Sequence, residues 1–283
     1  MSAPTTDRAG PKPPDPTLVF EAWNEAARGY REYWSPRFRP FVERAVAAFD
    51  PPAEGPLAVP GCGPGDEVVL LAQKFPARAI LASDPSSEMV GLCRAAARAA
   101  GASSVLVTQS PAEGLAGSVR QAAGVFSSFT LQLLADPLRA LGAWSLALRR
   151  GGAITVIFWP RPGPDTSFGR VQAAIERATG QSRPDWEPKV AAELPHLGLE
   201  IERDERVALD VEHASPEEWF QAAVEWGALR PVFLRWGPAV LERCRVDWLS
   251  DHRMIERGGK WIVPSEARLW TLRKTGEGPH EAH

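Results

Sequence analysis

Three glycines at alternate positions, Gly61, Gly63 and Gly65, stand between the apolar run Leu57-Ala58-Val59 and a helical pattern that opens at Asp66. This describes a buried strand that turns sharply into a helix, gathering backbone N–H groups at the helix start with no Cβ to hold a ligand off the main chain. A dinucleotide fingerprint needs a further glycine directly after Gly65. Asp66 stands there, an acid where a pyrophosphate would be repelled. A second short apolar run, Ala79 to Ser83, ends in Asp84. It lies about 20 positions beyond the last glycine, the interval at which a strand-end acid accepts from two ribose hydroxyls. Its competing reading is a cap for the helix opening at Pro85-Ser86-Ser87-Glu88-Met89.

The chain has 283 residues, 44% of them hydrophobic, enough to bury a full core in one large domain. With a net charge of −3 and no block of like charge, no nucleic-acid groove or anionic membrane surface is indicated, and the expected partner is a small molecule. No apolar run is long enough to span a bilayer and the N-terminus lacks a signal-peptide core, so a cytoplasmic location is expected. Cys62, Cys93 and Cys244 lie far apart without a paired spacing, which implies neither a disulfide framework nor a zinc site. Eleven tryptophans against two tyrosines is an unusual balance; several tryptophans gathered in one region would line an apolar pocket.

Taken in order, residues 1–15 are proline-rich and read as a disordered leader. Phe20, Trp23, Ala27, Tyr30 and Trp34 recur at helical spacing, and the expected helix ends at Ser35-Pro36. A second helix, from Arg37 to Phe49, buries Phe38, Phe41, Val42, Ala45 and Phe49. Ser104 to Thr108 reads as a third strand and Ala123 to Ser128 as a fourth. A helix then runs to Arg149-Arg150, closed by Gly151-Gly152, and Ala153 to Trp159 is a continuous apolar strand. Leu199 to Leu209 and Trp261 to Leu272 are strand candidates. Helices are expected at Ser167 to Thr179, after Ser215-Pro216, and from Pro238 to about Arg257. Residues 275–283 read as a disordered tail.

The compact loop Gly-Cys-Gly-Pro-Gly, followed by a strand ending at Asp84, resembles the S-adenosylmethionine loop of class I methyltransferases. The segment Trp23 to Trp34 resembles the helix that opens the ubiquinone/menaquinone-biosynthesis type of that family, and Val125 to Trp159 resembles its fourth and fifth strands. The resemblance implies an α/β Rossmann-like fold: a seven-stranded mixed sheet with an antiparallel last strand, N-terminal helices and a helical cap. One methyltransferase domain is expected over 16–274, with lid helices at 16–50 and a substrate cap or insertion at 160–257.

It also implies S-adenosylmethionine as cofactor, with S-adenosylhomocysteine as product. The implied cofactor-binding residues are Tyr30, Gly61, Cys62, Gly63, Gly65, Asp84, Pro85, Met89, Gln109, Ser110, Ala112, Ser128, Phe129 and Thr130. Two positions depart from the family. Val59 stands two residues before the first glycine, where relatives carry an acid near the methionine end of the cofactor, leaving Asp66, Glu67 or a carbonyl to substitute. Pro111 replaces an acid that accepts from the adenine amine.

The implied activity is methyl transfer by in-line displacement to a small, apolar or aromatic acceptor, on oxygen or nitrogen. Trp159, Trp219, Trp226 and Trp236 are the candidate acceptor contacts, and His213 and His252 the candidate bases, although a histidine in such a segment is more often structural or exposed. Two other functions stay open. A nucleotide-cofactor oxidoreductase is opposed by Asp66 and by the terminal strand pattern; a non-catalytic binding or scaffold protein is favoured by Val59 and Pro111.

Overall fold

A computed structural model describes residues 16–182 and 185–275. The expected leader, and all of the expected tail except Thr275, lie outside the described residues. The chain opens with α1 (Pro16–Gly29) and α2 (Ser35–Ala48), joined by a π-helical turn, Tyr30–Trp34. The helix end expected at Ser35-Pro36 does not occur. The Ser35 N–H reaches back five residues to the Tyr30 carbonyl, and this wider turn takes up Pro36, whose ring would otherwise press on the preceding turn.

The sheet then builds outward from its centre. β1 (Leu57–Pro60) is followed by α3 (Asp66–Lys74), β2 (Ile80–Asp84), α4 (Ser87–Ala99), β3 (Val105–Gln109), α5 (Leu115–Ser118), β4 (Ala122–Ser128), α6 (Pro137–Ala147) and β5 (Leu148–Phe158). After α7 (Ser167–Thr179) and α8 (Glu187–Glu193) come β6 (Leu199–His213), α9 (Pro216–Glu225), α10 (Arg230–Trp236), α11 (Pro238–Ser250), β7 (Ile255–Arg257) and β8 (Lys260–Lys274). Spatial order is β3-β2-β1-β4-β5-β8-β6, with β7 paired to β8. The first five are parallel; β8 is antiparallel to β5 and to β6. The expected seven-strand path is present, and β7 adds an eighth, three-residue strand.

Two helix ends differ from the sequence expectation. α6 stops at Ala147, and Arg149 to Gly152 belong to β5, which loops out between the pairs Ala122–Leu148 and Gly124–Ala153 with Gly151 at φ +75°. Pairing of Leu148 with Ala122 ends the helix before its basic residues. α11 stops at Ser250 rather than near Arg257. Gly258 and Gly259, at φ +61° and +77°, form a two-residue reversal that folds Ile255–Arg257 onto β8. β6 passes through the sheet within residues 160–257, so the helices of that span fall into two groups, α7–α8 and α9–α11.

Both faces of the sheet are covered. On one side Phe41, Phe49, Phe126, Trp219 and Trp248 pack with α2 and the cap helices; on the other Leu141, Trp144, Phe158 and Trp270 pack with α6. Order reverses between β1 and β4, and a cleft at that switch point is where open α/β sheets hold ligands. No helix among the described residues is long and apolar enough to cross a membrane.

Candidate functional site

β1 delivers the glycine loop to the switch point. Gly61, Gly63 and Gly65 have φ of +69°, +48° and +99°, a region that costs an L side chain about 1–2 kcal/mol. Two of the three are also sterically required. A Cβ on Gly61 would lie 2.3 Å from Thr130 Oγ1, and one on Gly65 would lie 2.9 Å from the Cys93 Cα. A Cβ on Gly63 would meet nothing within 4 Å, so this residue borders open space. Cys62 is buried against Cys93, its thiol pushed well up by the Cys93 side chain and by burial. It is a packing residue beneath the loop.

Asp84 closes the other side. Its Oδ2 accepts from the Gly63 N–H at 3.0 Å and its Oδ1 from the Ser86 N–H at 2.9 Å. Burial lifts its carboxyl to about 6 against these two bonds. Ser86 caps α4 by accepting from the Met89 N–H at 3.1 Å, and its hydroxyl donates to Asn24 Oδ1 at 2.7 Å. Asn24 therefore ties α1 to the residues that hold Asp84. No spacing signal marked it, because its partners lie more than 60 positions away.

Tyr30, in the π turn, stacks edge-on to Trp23 with ring centroids 5.7 Å apart. Burial, then the charges of Glu67, Asp66 and Asp84, raise its phenol above the ordinary range. All the charges acting on this hydroxyl are carboxylates. The carboxyl groups acting on Tyr30 and the open space beside Gly63 favour a cationic ligand over a pyrophosphate.

At the end of β4, the Ser128 hydroxyl donates to Glu67 Oε1 at 2.9 Å, and Thr130 Oγ1 donates to the Gly61 carbonyl at 3.1 Å. Phe129 between them holds φ +52° and donates its N–H to the Ile157 carbonyl. Beyond β3, Gln109 Nε2 donates to the Pro85 carbonyl, the Ser110 N–H donates to the Asp84 carbonyl, and Pro111 is exposed. Met89 and Ala112 are buried, the latter's carbonyl accepting from Trp144 Nε1.

A cavity of about 1060 Å³ lies between the sheet edge and the helices that follow β5; of the expected cofactor residues, Tyr30 and Phe129 line it and the glycine loop and Asp84 do not. Its wall is aromatic: Trp23, Tyr30, Phe38, Phe129, Trp159 and Phe168 among others. Phe129 and Trp159 stack at 4.5 Å, and Trp159 and Phe168 at 5.8 Å. Trp159 and Trp219 line it; Trp226 and Trp236 do not. Trp226 instead packs on Gly29, where an added Cβ would sit 2.2 Å from its ring. Neither histidine lines the cavity. His213 is buried, its Nδ1 2.8 Å from the Tyr33 hydroxyl, and burial with the nearby Arg37 charge lowers its pKa to about 3. His252 accepts from the Met254 N–H and packs between Trp248 and Trp261. Phe38 and Phe168 were legible only as apolar positions of helices; that they face a cavity is a tertiary fact.

Residues 60–152 match the family model of a methyltransferase domain. No curated protein matches the chain at a significant level. Among solved structures, the YcgJ protein from Bacillus subtilis is 16% identical and superposes with a TM-score of 0.59, covering 83% of this chain and 98% of its own. A protein from Bacillus halodurans C-125 described as a candidate methyltransferase gives 14% identity and a TM-score of 0.57, over 83% of this chain and 99% of its own. The magnesium protoporphyrin IX methyltransferase from Synechocystis PCC 6803, solved with bound S-adenosylmethionine, gives 14% and 0.53, over 92% and 96%. At these identities the structural likenesses speak for the fold, and the family model speaks for the chemistry. Residues 60–152 thus match a methyltransferase domain, and the chain as a whole has the fold of class I methyltransferases.

Proposed function

We propose that this protein methylates a small, apolar or aromatic acceptor, on oxygen or nitrogen, held in the aromatic cavity beside the glycine loop. The observation that carries this reading is Tyr30, which lines the cavity and at the same time stands among Glu67, Asp66 and Asp84. One residue thus borders both spaces, as transfer between two ligands requires.

In this reading the loop backbone at Gly61, Gly63 and Gly65 lies against the cofactor and Asp84 accepts from its ribose hydroxyls. Asn24 and Tyr30 hold α1 over it, and Ser128, Phe129 and Thr130 form the wall toward the acceptor. When bound, the cofactor supplies an electrophilic methyl on a sulfonium. Phe38, Phe129, Trp159 and Phe168 exclude water and present ring faces to the acceptor, aligning it for in-line attack. No histidine among the described residues reaches the cavity. The reading is therefore catalysis by positioning, on an acceptor that enters as a competent nucleophile such as a neutral amine or an ionised phenol.

Calorimetric titration of the protein with S-adenosylhomocysteine, NAD and NADP tests the cofactor side. Micromolar-range binding of the first alone is the expected result; binding of a dinucleotide, or of none, overturns the reading. Trp159→Ala tests the acceptor side, since it should abolish binding of aromatic acceptors that score in a methylation screen while S-adenosylhomocysteine affinity stays within about twofold.

A further inference from the structure

Glu67 is a buried carboxyl group with no cation beside it among the described residues. It lies in the first turn of α3, directly after the glycine loop, and its side chain is buried, with 5% of the residue exposed. Its hydrogen-bond donors are neutral: the Ser128 hydroxyl at 2.9 Å and its own backbone N–H. Among the described residues it takes part in no ion pair.

The ionisable groups acting on it add negative charge. They are Asp66 on its own helix and Asp84 at the end of β2, and the Tyr30 phenol in the π turn in turn feels the Glu67 charge. A carboxylate taken out of water without a cation is costly, and packing gives no reason to keep one. The helix N-terminus offsets part of the cost, but that role needs no burial, and Asp66 on the same turn already fills it from a half-exposed position.

The other half of the observation is Val59. It is fully buried in β1, two residues before Gly61. Its apolar side chain leaves the end of that strand without a charge of its own. Glu67 reaches the neighbouring strand end instead, at Ser128 of β4, on the same edge of the sheet as the loop.

We infer that Glu67 is a specificity-determining residue that binds the primary ammonium of the cofactor's amino-acid portion, supplying from α3 the carboxylate that β1 lacks. The inference rests on the cofactor reading above. A ligand ammonium here would complete the ion pair that the protein leaves open.

Binding of two adenosine thioethers separates this role from a structural one. S-adenosylhomocysteine carries the ammonium; 5′-methylthioadenosine keeps the adenosine and thioether and lacks it. Glu67→Gln, which preserves the shape and the Ser128 bond, is expected to lower affinity for S-adenosylhomocysteine at least tenfold and to leave 5′-methylthioadenosine within twofold. A second readout uses the free protein. Burial, then Asp66 and Asp84 against the donors, pushes the Glu67 carboxyl up to about 8. Formation of the pair at pH 7 should therefore release a proton, seen as a dependence of the calorimetric heat on the buffer's ionisation enthalpy, and Glu67→Gln should abolish it. Equal losses for both ligands, or no loss for either, overturn the inference. If the wild-type protein binds neither ligand, the cofactor reading falls first and this one with it.

Discussion

The backbone N–H of Gly63 donates to Oδ2 of Asp84 across 3.0 Å, so the turn after β1 and the end of β2 are joined through a side chain proposed to read a ribose. Ser86 occupies the other oxygen through its N–H and is itself held by Asn24. The first helix, the loop and the strand end therefore form one hydrogen-bonded unit.

Asp84→Asn is expected to weaken S-adenosylhomocysteine binding by about 1–3 kcal/mol, the range for a hydrogen bond to a charged group. The amide keeps one acceptor oxygen, so the fold should survive. Calorimetry gives the affinity and circular dichroism the fold; an unchanged affinity in the folded variant removes Asp84 from the cofactor site.

Gly61 and Gly63 should separate folding from binding. In Gly61→Ala the new methyl meets the Thr130 side chain at 2.3–2.4 Å, and denaturant unfolding should show a loss above about 2 kcal/mol. Gly63→Ala meets no protein atom; its backbone cost is about 1 kcal/mol. Its methyl enters the space left for the ligand, so this variant should fold yet bind S-adenosylhomocysteine weakly. Full affinity in Gly63→Ala would place the ligand elsewhere.

Two buried groups should tilt stability with pH in opposite senses. The Glu67 carboxyl, ordinarily at 4.5, sits at about 8 in the fold. The folded chain holds that proton more tightly, so this contribution is complete below about pH 4.5 and is lost as pH rises through about 8. Glu67→Gln should gain on the wild type over that window by on the order of a few kcal/mol. His213, lowered from 6.5 to about 3, is held neutral. Its contribution is complete above about pH 6.5 and is lost as pH falls toward about 3, and His213→Gln should gain on the wild type there. Urea unfolding from about pH 4 to 8, read as variant minus wild type, checks both signs.

Gly29→Ala should loosen the docking of α1. Alanine is favoured over glycine inside a helix by about 1 kcal/mol. The methyl, however, would lie 2.2 Å from the Trp226 ring, and displacing a packed indole costs about 1–3 kcal/mol. The expected net effect is a small loss of stability with a clear loss of S-adenosylhomocysteine affinity, as α1 carries Asn24 and Tyr30 away. The Glu25–Arg230 ion pair, which ties α1 to α10, predicts the same affinity loss in Arg230→Met.

The features legible in the sequence are those that short-range spacing dictates. Positive φ at Gly61, Gly63 and Gly65 follows from a strand that must turn within a few residues, and Asp84 from the strand that ends beside it. The alternation of apolar runs with helical patterns implies a parallel sheet, and the resemblance to class I methyltransferases implies its antiparallel last strand. The same local signals failed where a distant partner intervened. Pro36 reads as a helix end because proline opposes α-helical bonding, yet a π turn absorbs it. Arg149 and Arg150 read as the end of a helix, yet β4 draws Leu148 into the sheet.

The tertiary structure alone decided which side chains converge. Four tryptophans looked equivalent as candidate acceptor contacts, but Trp159 and Trp219 line the cavity while Trp226 is spent on Gly29. His213 and His252 looked like candidate bases and were turned to Tyr33 and to the Met254 N–H. Glu67 looked like an ordinary acid at a helix start until packing against β4 removed it from water. Backbone conformation depends on neighbours a few residues away, so the sequence by itself determined the loop, the strand ends and the order of elements. Burial and charge depend on atoms contributed from 62 to 180 positions away, and only the folded chain brings those together.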